Sequence, residues 1–143
     1  MQPLTKEQTQ APRNGNLTAG AVIVIGLGVT GLSVARHLAA RGEAVIVMDT
    51  RANPPGLAIL RQELPQIRVM LGALDGKLLR NASRVILSPG VALSEPAVRA
   101  ALDAGVEVAG DIELFVREAA APIAAITGSN GKSTVTAMLG YMA

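Results

Sequence analysis

The sequence predicts an α/β fold built on a parallel sheet, and three observations predict it. Short β-branched runs alternate with helical patterns along most of the 143 residues, the order expected of strand-helix-strand crossover units. The clearest run, Val22 to Ile25, is apolar at every position, which suits a strand covered on both faces. Glycine-bearing loops follow two apolar runs, at Gly26 to Gly31 and at Gly128 to Gly131, each immediately before a helical pattern. Half of the residues are hydrophobic and 17% are charged, with a mean hydropathy of +0.39, so the composition is too apolar for a disordered chain.

Taken in order, Val22 to Ile25 is the first strand and Thr30 to Arg41 the first helix, with Leu32, Ala35, Leu38 and Ala39 on one face. Gly42 stops that helix, and Ala44 to Met48 is the second strand. A second helix is expected over Pro55 to Leu64, a third strand over Arg68 to Leu71, and a fourth over Arg84 to Leu87 before the turn Ser88-Pro89-Gly90. Ser94 reads as an N-cap ahead of Glu95-Pro96, giving a helix from Glu95 to Ala104 closed by Gly105, and Val106 to Ala109 is a fifth strand. Asp111 reads as the cap of a helix reaching about Ala120. Pro122 then precedes a last apolar strand, Ile123 to Ile126, the second glycine loop and a final helix.

Several function classes are excluded by composition. Aromatic residues are confined to Phe115 and Tyr141, so no stacking platform for single-stranded nucleic acid is available, and no nucleic-acid partner is expected. Thirteen basic against 11 acidic residues are spread along the chain, and so small an excess is weak evidence for a polyanion partner. With no cysteine and one histidine, His37, there is no disulfide, thiolate zinc site or cysteine nucleophile, and a cytoplasmic address fits. Residues 1–18 are polar, lack the apolar core of a secretory signal and are expected to form a disordered tail. The uncharged stretch from Asn14 to Ala35 is broken by Asn16, Thr18, Gly20, Gly26, Gly28 and Gly31, so no membrane insertion is expected.

The two loops carry the chemistry. In Gly26-Leu27-Gly28-Val29-Thr30-Gly31, glycines let the turn tighten and the backbone approach a diphosphate, while the helix start offers unpaired N–H groups and partial positive charge. Asp49 ends the second strand, close to where a ribose-binding carboxylate sits in nicotinamide-binding folds. A solvated strand end or cap is nearly as good a reading of Asp49. In Thr127-Gly128-Ser129-Asn130-Gly131-Lys132-Ser133-Thr134, successive N–H groups can wrap β- and γ-phosphates, Lys132 can neutralise them and the Ser133 hydroxyl can ligate Mg²⁺. Ile126 stands where the common phosphate loop has its first glycine, so this loop is a shortened form.

These residues together carry a resemblance. Gly-Leu-Gly-Val-Thr-Gly-Leu-Ser from Gly26, Met48-Asp49-Thr50-Arg51, Ser88-Pro89-Gly90, Gly110-Asp111-Ile112-Glu113-Leu114 and the shortened phosphate loop resemble the Mur ligase family, within it the D-glutamate-adding branch. The likeness runs from about Ala21 to the last residue. It implies a Rossmann-like domain over residues 19–110 that holds the UDP of a muramoyl substrate, followed over residues 111–143 by the start of a P-loop ATP-binding domain. Val29, Thr30, Thr50, Arg51 and Gly90 would contact uridine or diphosphate. Gly128, Ser129, Asn130, Gly131, Lys132, Ser133 and Thr134 would hold ATP phosphates, with Lys132 catalytic and Ser133 on Mg²⁺. His37 matches no functional position.

The family reaction implied is ATP-dependent amide formation in peptidoglycan synthesis. The γ-phosphoryl group passes to the carboxylate of UDP-N-acetylmuramoyl-L-alanine, and the amine of D-glutamate attacks the acyl phosphate. The chain ends one helix after the phosphate loop, so an inactive N-terminal part of such a ligase is expected. Two other classes stay open at this point: a nicotinamide-binding module of an oxidoreductase, and a nucleotide-binding domain without catalysis.

Overall fold

The computed structural model describes residues 20–142; the tail expected at residues 1–18 lies outside them. The strands are β1 (Val22–Ile25), β2 (Val45–Asp49), β3 (Arg68–Leu71), β4 (Arg84–Leu87) and β5 (Glu107–Gly110). The helices are α1 (Val29–Ala40), α2 (Leu57–Glu63), α3 (Gly76–Arg80), α4 (Pro96–Asp103), α5 (Asp111–Glu118) and α6 (Lys132–Met142). The strands form one sheet in the order β3-β2-β1-β4-β5, with every pairing parallel. This is the Rossmann-like arrangement expected. Contacts divide the chain into two units between Asp111 and Ile112.

In the first unit, β1 sits at the centre, and its Val22 pairs with Val45 of β2 on one side and Arg84 of β4 on the other. A strand with neighbours on both edges and helices on both faces has no wet surface. Accordingly every residue of β1 and β2 is buried. Ile23, Ile25, Ile46, Met48, Val85 and Leu87 share one face of the sheet and cluster with Leu78 and Leu79 of α3 and Val98 and Ala101 of α4. By strand alternation Val22, Val24, Val45 and Val47 face the other way, where α1 lies against β1 and β2. Each fully buried aliphatic side chain contributes about 1.5 to 3 kcal/mol, so this central pair of strands anchors the unit.

Both glycine stops act through the same capping geometry. After α1, Gly42 takes φ +76°, its N–H donates to Ala39 O at 2.9 Å, and Glu43 N–H reaches Leu38 O at 3.1 Å. After α4, Gly105 takes φ +79°, with N–H groups of Gly105 and Val106 on Leu102 O and Ala101 O at 2.9 and 3.0 Å. These are paired bonds that satisfy the last carbonyls of a helix and need a residue tolerant of positive φ.

The structure differs from the sequence reading at four places, one being Asp111, which opens α5 as its first helical residue instead of capping it. Ser94 is not the cap of α4: Glu95 holds that position without a side-chain bond, and Pro96 opens the helix. A short helix, α3, was not expected; Asp75 caps it by accepting from the N–H groups of Lys77 at 2.9 Å and Leu78 at 3.1 Å. No strand forms over Ile123 to Ile126, and Ile123 is 47% exposed. The second unit contains only helical elements among its described residues, so its own unit offers this apolar run no strand to accept and donate ladder bonds.

Candidate functional site: a cleft at the strand switch point

The chain leaves β1 for β2 on one side, whereas β4 flanks β1 on the other. Ligands of open α/β sheets sit at the carboxyl ends of strands where the order reverses in this way. A cleft of about 670 Å³ opens at this place, and Val29, Thr30, Thr50, Arg51 and Gly90 all line it. The five residues come from three places far apart in sequence, the start of α1 and the loops after β2 and β4, which the parallel register brings to one edge. Leu74, Ser88, Val91 and Glu95 also line the cleft and were not singled out in the sequence. Ser88 stood within a quoted motif, but nothing in a sequence says which strand lies beside β1.

The glycine loop is held tightly. Gly26 takes φ +98°, and a Cβ there would lie 2.8 Å from the Ser88 side chain. A Cβ on Gly31 would lie 1.8 Å from Gly26 O, so α1 packs onto the loop only because residue 31 has no side chain. The Ser88 hydroxyl donates to Gly26 O at 3.2 Å, and Gly56 N–H donates to Leu27 O at 3.0 Å. Gly28 differs: a Cβ there would meet nothing within 4 Å, so its backbone is open to close approach. Gly28 caps α1 without a side-chain bond, leaving the first-turn N–H groups available as donors for an anion. Val29, at the first helical position, is an apolar side chain 87% exposed at the edge of this cleft.

Asp49 is the one buried charged residue among the described residues, at 2% exposure. Its Oδ2 accepts from Leu27 N–H and from Arg51 Nη2, both at 2.6 Å, and its Oδ1 accepts from Arg51 N–H at 2.9 Å and Arg51 Nε at 2.8 Å. The Arg51 guanidinium, aided by the backbone N–H groups of Leu27 and Arg51, outweighs burial and holds the carboxyl down to about 2. Of the two readings of this residue, a cap or a ribose contact, neither describes it fully: the carboxylate is occupied within the protein. Thr50 beside it is exposed at the cleft. His37 lies on α1 and does not line the cleft.

The second loop lies in the second unit. Gly128 and Gly131 take φ of +151° and +78°, and Val135 N–H donates to Gly131 O at 3.0 Å where α6 begins. Lys132 Nζ donates to Gly128 O, so the ammonium folds over the loop, and Thr136 Oγ1 donates to Lys132 O at 2.8 Å. Gly128, Ser129, Asn130, Gly131, Lys132, Ser133 and Thr134 are all exposed. The open loop, its cation and a hydroxyl on the second helical residue fit a nucleotide phosphate and its Mg²⁺. Among the described residues no cluster of three acidic or histidine side chains stands ready to hold a metal.

Comparison with known proteins decides the family. The family model described as Mur ligase MurD-like, N-terminal domain, matches residues 20–110. The chain belongs to that family. Among curated relatives of this MurD-like domain, the UDP-N-acetylmuramoylalanine–D-glutamate ligase of Nitrosococcus oceani is 53% identical over 125 residues, 87% of this chain and 28% of its own length. The ligase of the same name from Pseudomonas aeruginosa is 54% identical over 121 residues, 85% of this chain and 27% of its own. The chain therefore spans just over a quarter of the length of these relatives. A solved pseudomurein peptide ligase type C from Methanothermus fervidus superposes with a TM-score of 0.57 at 27% identity, over 85% of this chain and 25% of that one. The UDP-N-acetylmuramate-alanine ligase of Thermotoga maritima shares the fold, with a TM-score of 0.60 at 22% identity over 85% of this chain and 28% of that one.

Proposed function

We propose that this MurD-like chain carries the uridine-diphosphate site and the ATP phosphate loop of a cytoplasmic ligase that adds D-glutamate to UDP-N-acetylmuramoyl-L-alanine in peptidoglycan synthesis, and so serves cell shape and division. The observation that carries the reading is the switch-point cleft. It gathers Val29, Thr30, Thr50, Arg51 and Gly90 around open N–H donors while Asp49, the residue a nicotinamide reader would use, has both oxygens engaged by Leu27 and Arg51. No helix among the described residues is long and apolar enough to cross a membrane.

Each residue has a task in this reading. The first-turn N–H groups of α1 take the diphosphate, with Gly28 allowing the approach. Thr50 offers a hydroxyl and Arg51 a cationic fork to the uracil edge or the phosphates. In the second unit, Gly128 to Thr134 would hold the phosphates of ATP, Lys132 would offset their charge, and Ser133 would take a Mg²⁺ position. ATP, when bound, supplies the phosphoryl group that activates the muramoyl-alanine carboxylate. Lys132 acts by electrostatics: charge builds on the transferring group, and a fixed cation at the loop stabilises it.

Calorimetric titration of UDP, UDP-N-acetylmuramoyl-L-alanine, NAD and NADP tests the reading. Saturable heat with both uridine ligands and none with either nicotinamide nucleotide is expected. Saturable NAD binding with no response to the uridine ligands overturns it and restores an oxidoreductase module.

A further inference from the structure

We propose that Asp49 is a positioning residue that couples the glycine loop to Arg51, so that the loop donors and the Arg51 fork meet a nucleoside diphosphate as one preset unit. The proposal rests on the uridine reading above for its ligand but on the protein's own geometry for its mechanism. Four N–H groups converge on the two Asp49 oxygens, two from Arg51's guanidinium, one from Arg51's backbone and one from Leu27, 22 residues away in the chain. A carboxylate has about four lone-pair directions, so no acceptor capacity is left for a ligand. Leu27 is itself fully buried, which fixes the loop side of the link. Arg51 is fixed at one edge of its fork by two bonds, while its side chain remains 53% exposed and lines the cleft, so its other N–H groups are free of Asp49 and held in a set orientation.

The arrangement also explains why this must be a carboxylate. In an asparagine at position 49, either amide orientation would place an NH₂ group against two N–H donors: Leu27 N–H with Nη2, or Arg51 N–H with Nε. Asp49→Asn, nearly identical in shape, therefore uncouples the loop from Arg51 without opening a cavity.

The test measures UDP affinity by calorimetry for the wild type, Asp49→Asn, Arg51→Ala and the double variant, together with the Leu27 amide and Arg51 Nε–H proton resonances in ligand-free protein. Each single change is expected to weaken UDP by about tenfold, and the double variant to lie within about threefold of the weaker single, because Asp49 acts through Arg51. Asp49→Asn is also expected to remove the protected Arg51 Nε–H signal and to displace the Leu27 amide. Losses that multiply in the double variant would mean a direct ligand contact by Asp49 and overturn the proposal, as would unchanged UDP affinity in Asp49→Asn. If Asp49→Asn does not fold, Arg51→Lys decides: it keeps the charge without the fork, so it is expected to lose as much affinity as Arg51→Ala, and wild-type affinity would overturn the coupling. A wild-type chain that binds no uridine nucleotide defeats the functional reading, and the two resonances then still decide whether Asp49 links loop and arginine.

Discussion

Replacing Gly31 by alanine should destabilise the protein although alanine is the better helix former. Gly31 lies in the first turn of α1, where intrinsic propensity alone favours Gly→Ala by about 1 kcal/mol. The added Cβ would stand 1.8 Å from Gly26 O, 2.8 Å from Gly26 C and 3.2 Å from Ser88 Oγ. Two of these are backbone atoms, and Gly26 cannot readily give way. Its N–H donates to Met48 O at 2.8 Å, its carbonyl accepts the Ser88 hydroxyl, and its φ of +98° is one that residues with side chains rarely adopt. Overpacking typically costs about 1 to 3 kcal/mol, and a clash with pinned backbone belongs at the upper end. Subtracting the propensity gain leaves about 2 kcal/mol, which for a unit of this size lowers Tm by about 8 to 16 °C. Thermal melts of the whole chain followed by circular dichroism at 222 nm provide the assay. A Gly31→Ala melting point at or above the wild-type value would refute the reasoning, since it would mean that α1 does not rest on the loop.

Gly28→Ala should melt within a degree or two of wild type, because a Cβ there meets nothing within 4 Å, yet it should weaken UDP about tenfold by obstructing backbone approach; unchanged affinity in calorimetry would contradict this. Asp49 should titrate at about 2 rather than its ordinary 3.8. Its folded pKa is depressed, so its contribution of about 2 kcal/mol is complete above about pH 4 and is lost as pH falls through 2; a carboxyl carbon-13 midpoint near 3.8 would contradict it. Lys132→Ala should reduce ATP affinity about tenfold, read from amide shifts at Gly128 to Thr134, while leaving UDP binding unchanged; equal ATP affinities would remove the lysine from the phosphate site.

Much of the fold was legible because parallel strands buried on both faces write themselves as uninterrupted apolar runs, and Val22–Ile25 and Arg84–Leu87 have the bounds expected. The stops at Gly42 and Gly105 were legible for a comparable reason, since positive φ after a helix selects glycine. What was not legible depends on neighbours. Gly76–Arg80 is a single capped turn, too short for periodicity to register, and its only local signal is Asp75. Ile123 to Ile126 has strand composition, but a strand exists only where another chain segment completes its hydrogen bonds. The site shows the same division. The glycine loop was readable from its place after a strand and Thr50-Arg51 only through the family resemblance, whereas Ser88, Leu74 and Glu95 entered the cleft only once β4 was seen beside β1. Asp49 was readable as an acidic strand end, but that four donors would saturate it could not be known without the return of Leu27 to its side.

The most direct test of the central claim is the structure of the chain crystallised with UDP. The uridine is expected in the switch-point cleft, its diphosphate against the first turn of α1 beside Gly28 and Val29, and its base near Thr50, Arg51 and Gly90, with Asp49 still bonded to Leu27 and Arg51. UDP bound elsewhere, or an Asp49 carboxylate that leaves Arg51 to take a ribose hydroxyl, would contradict the account.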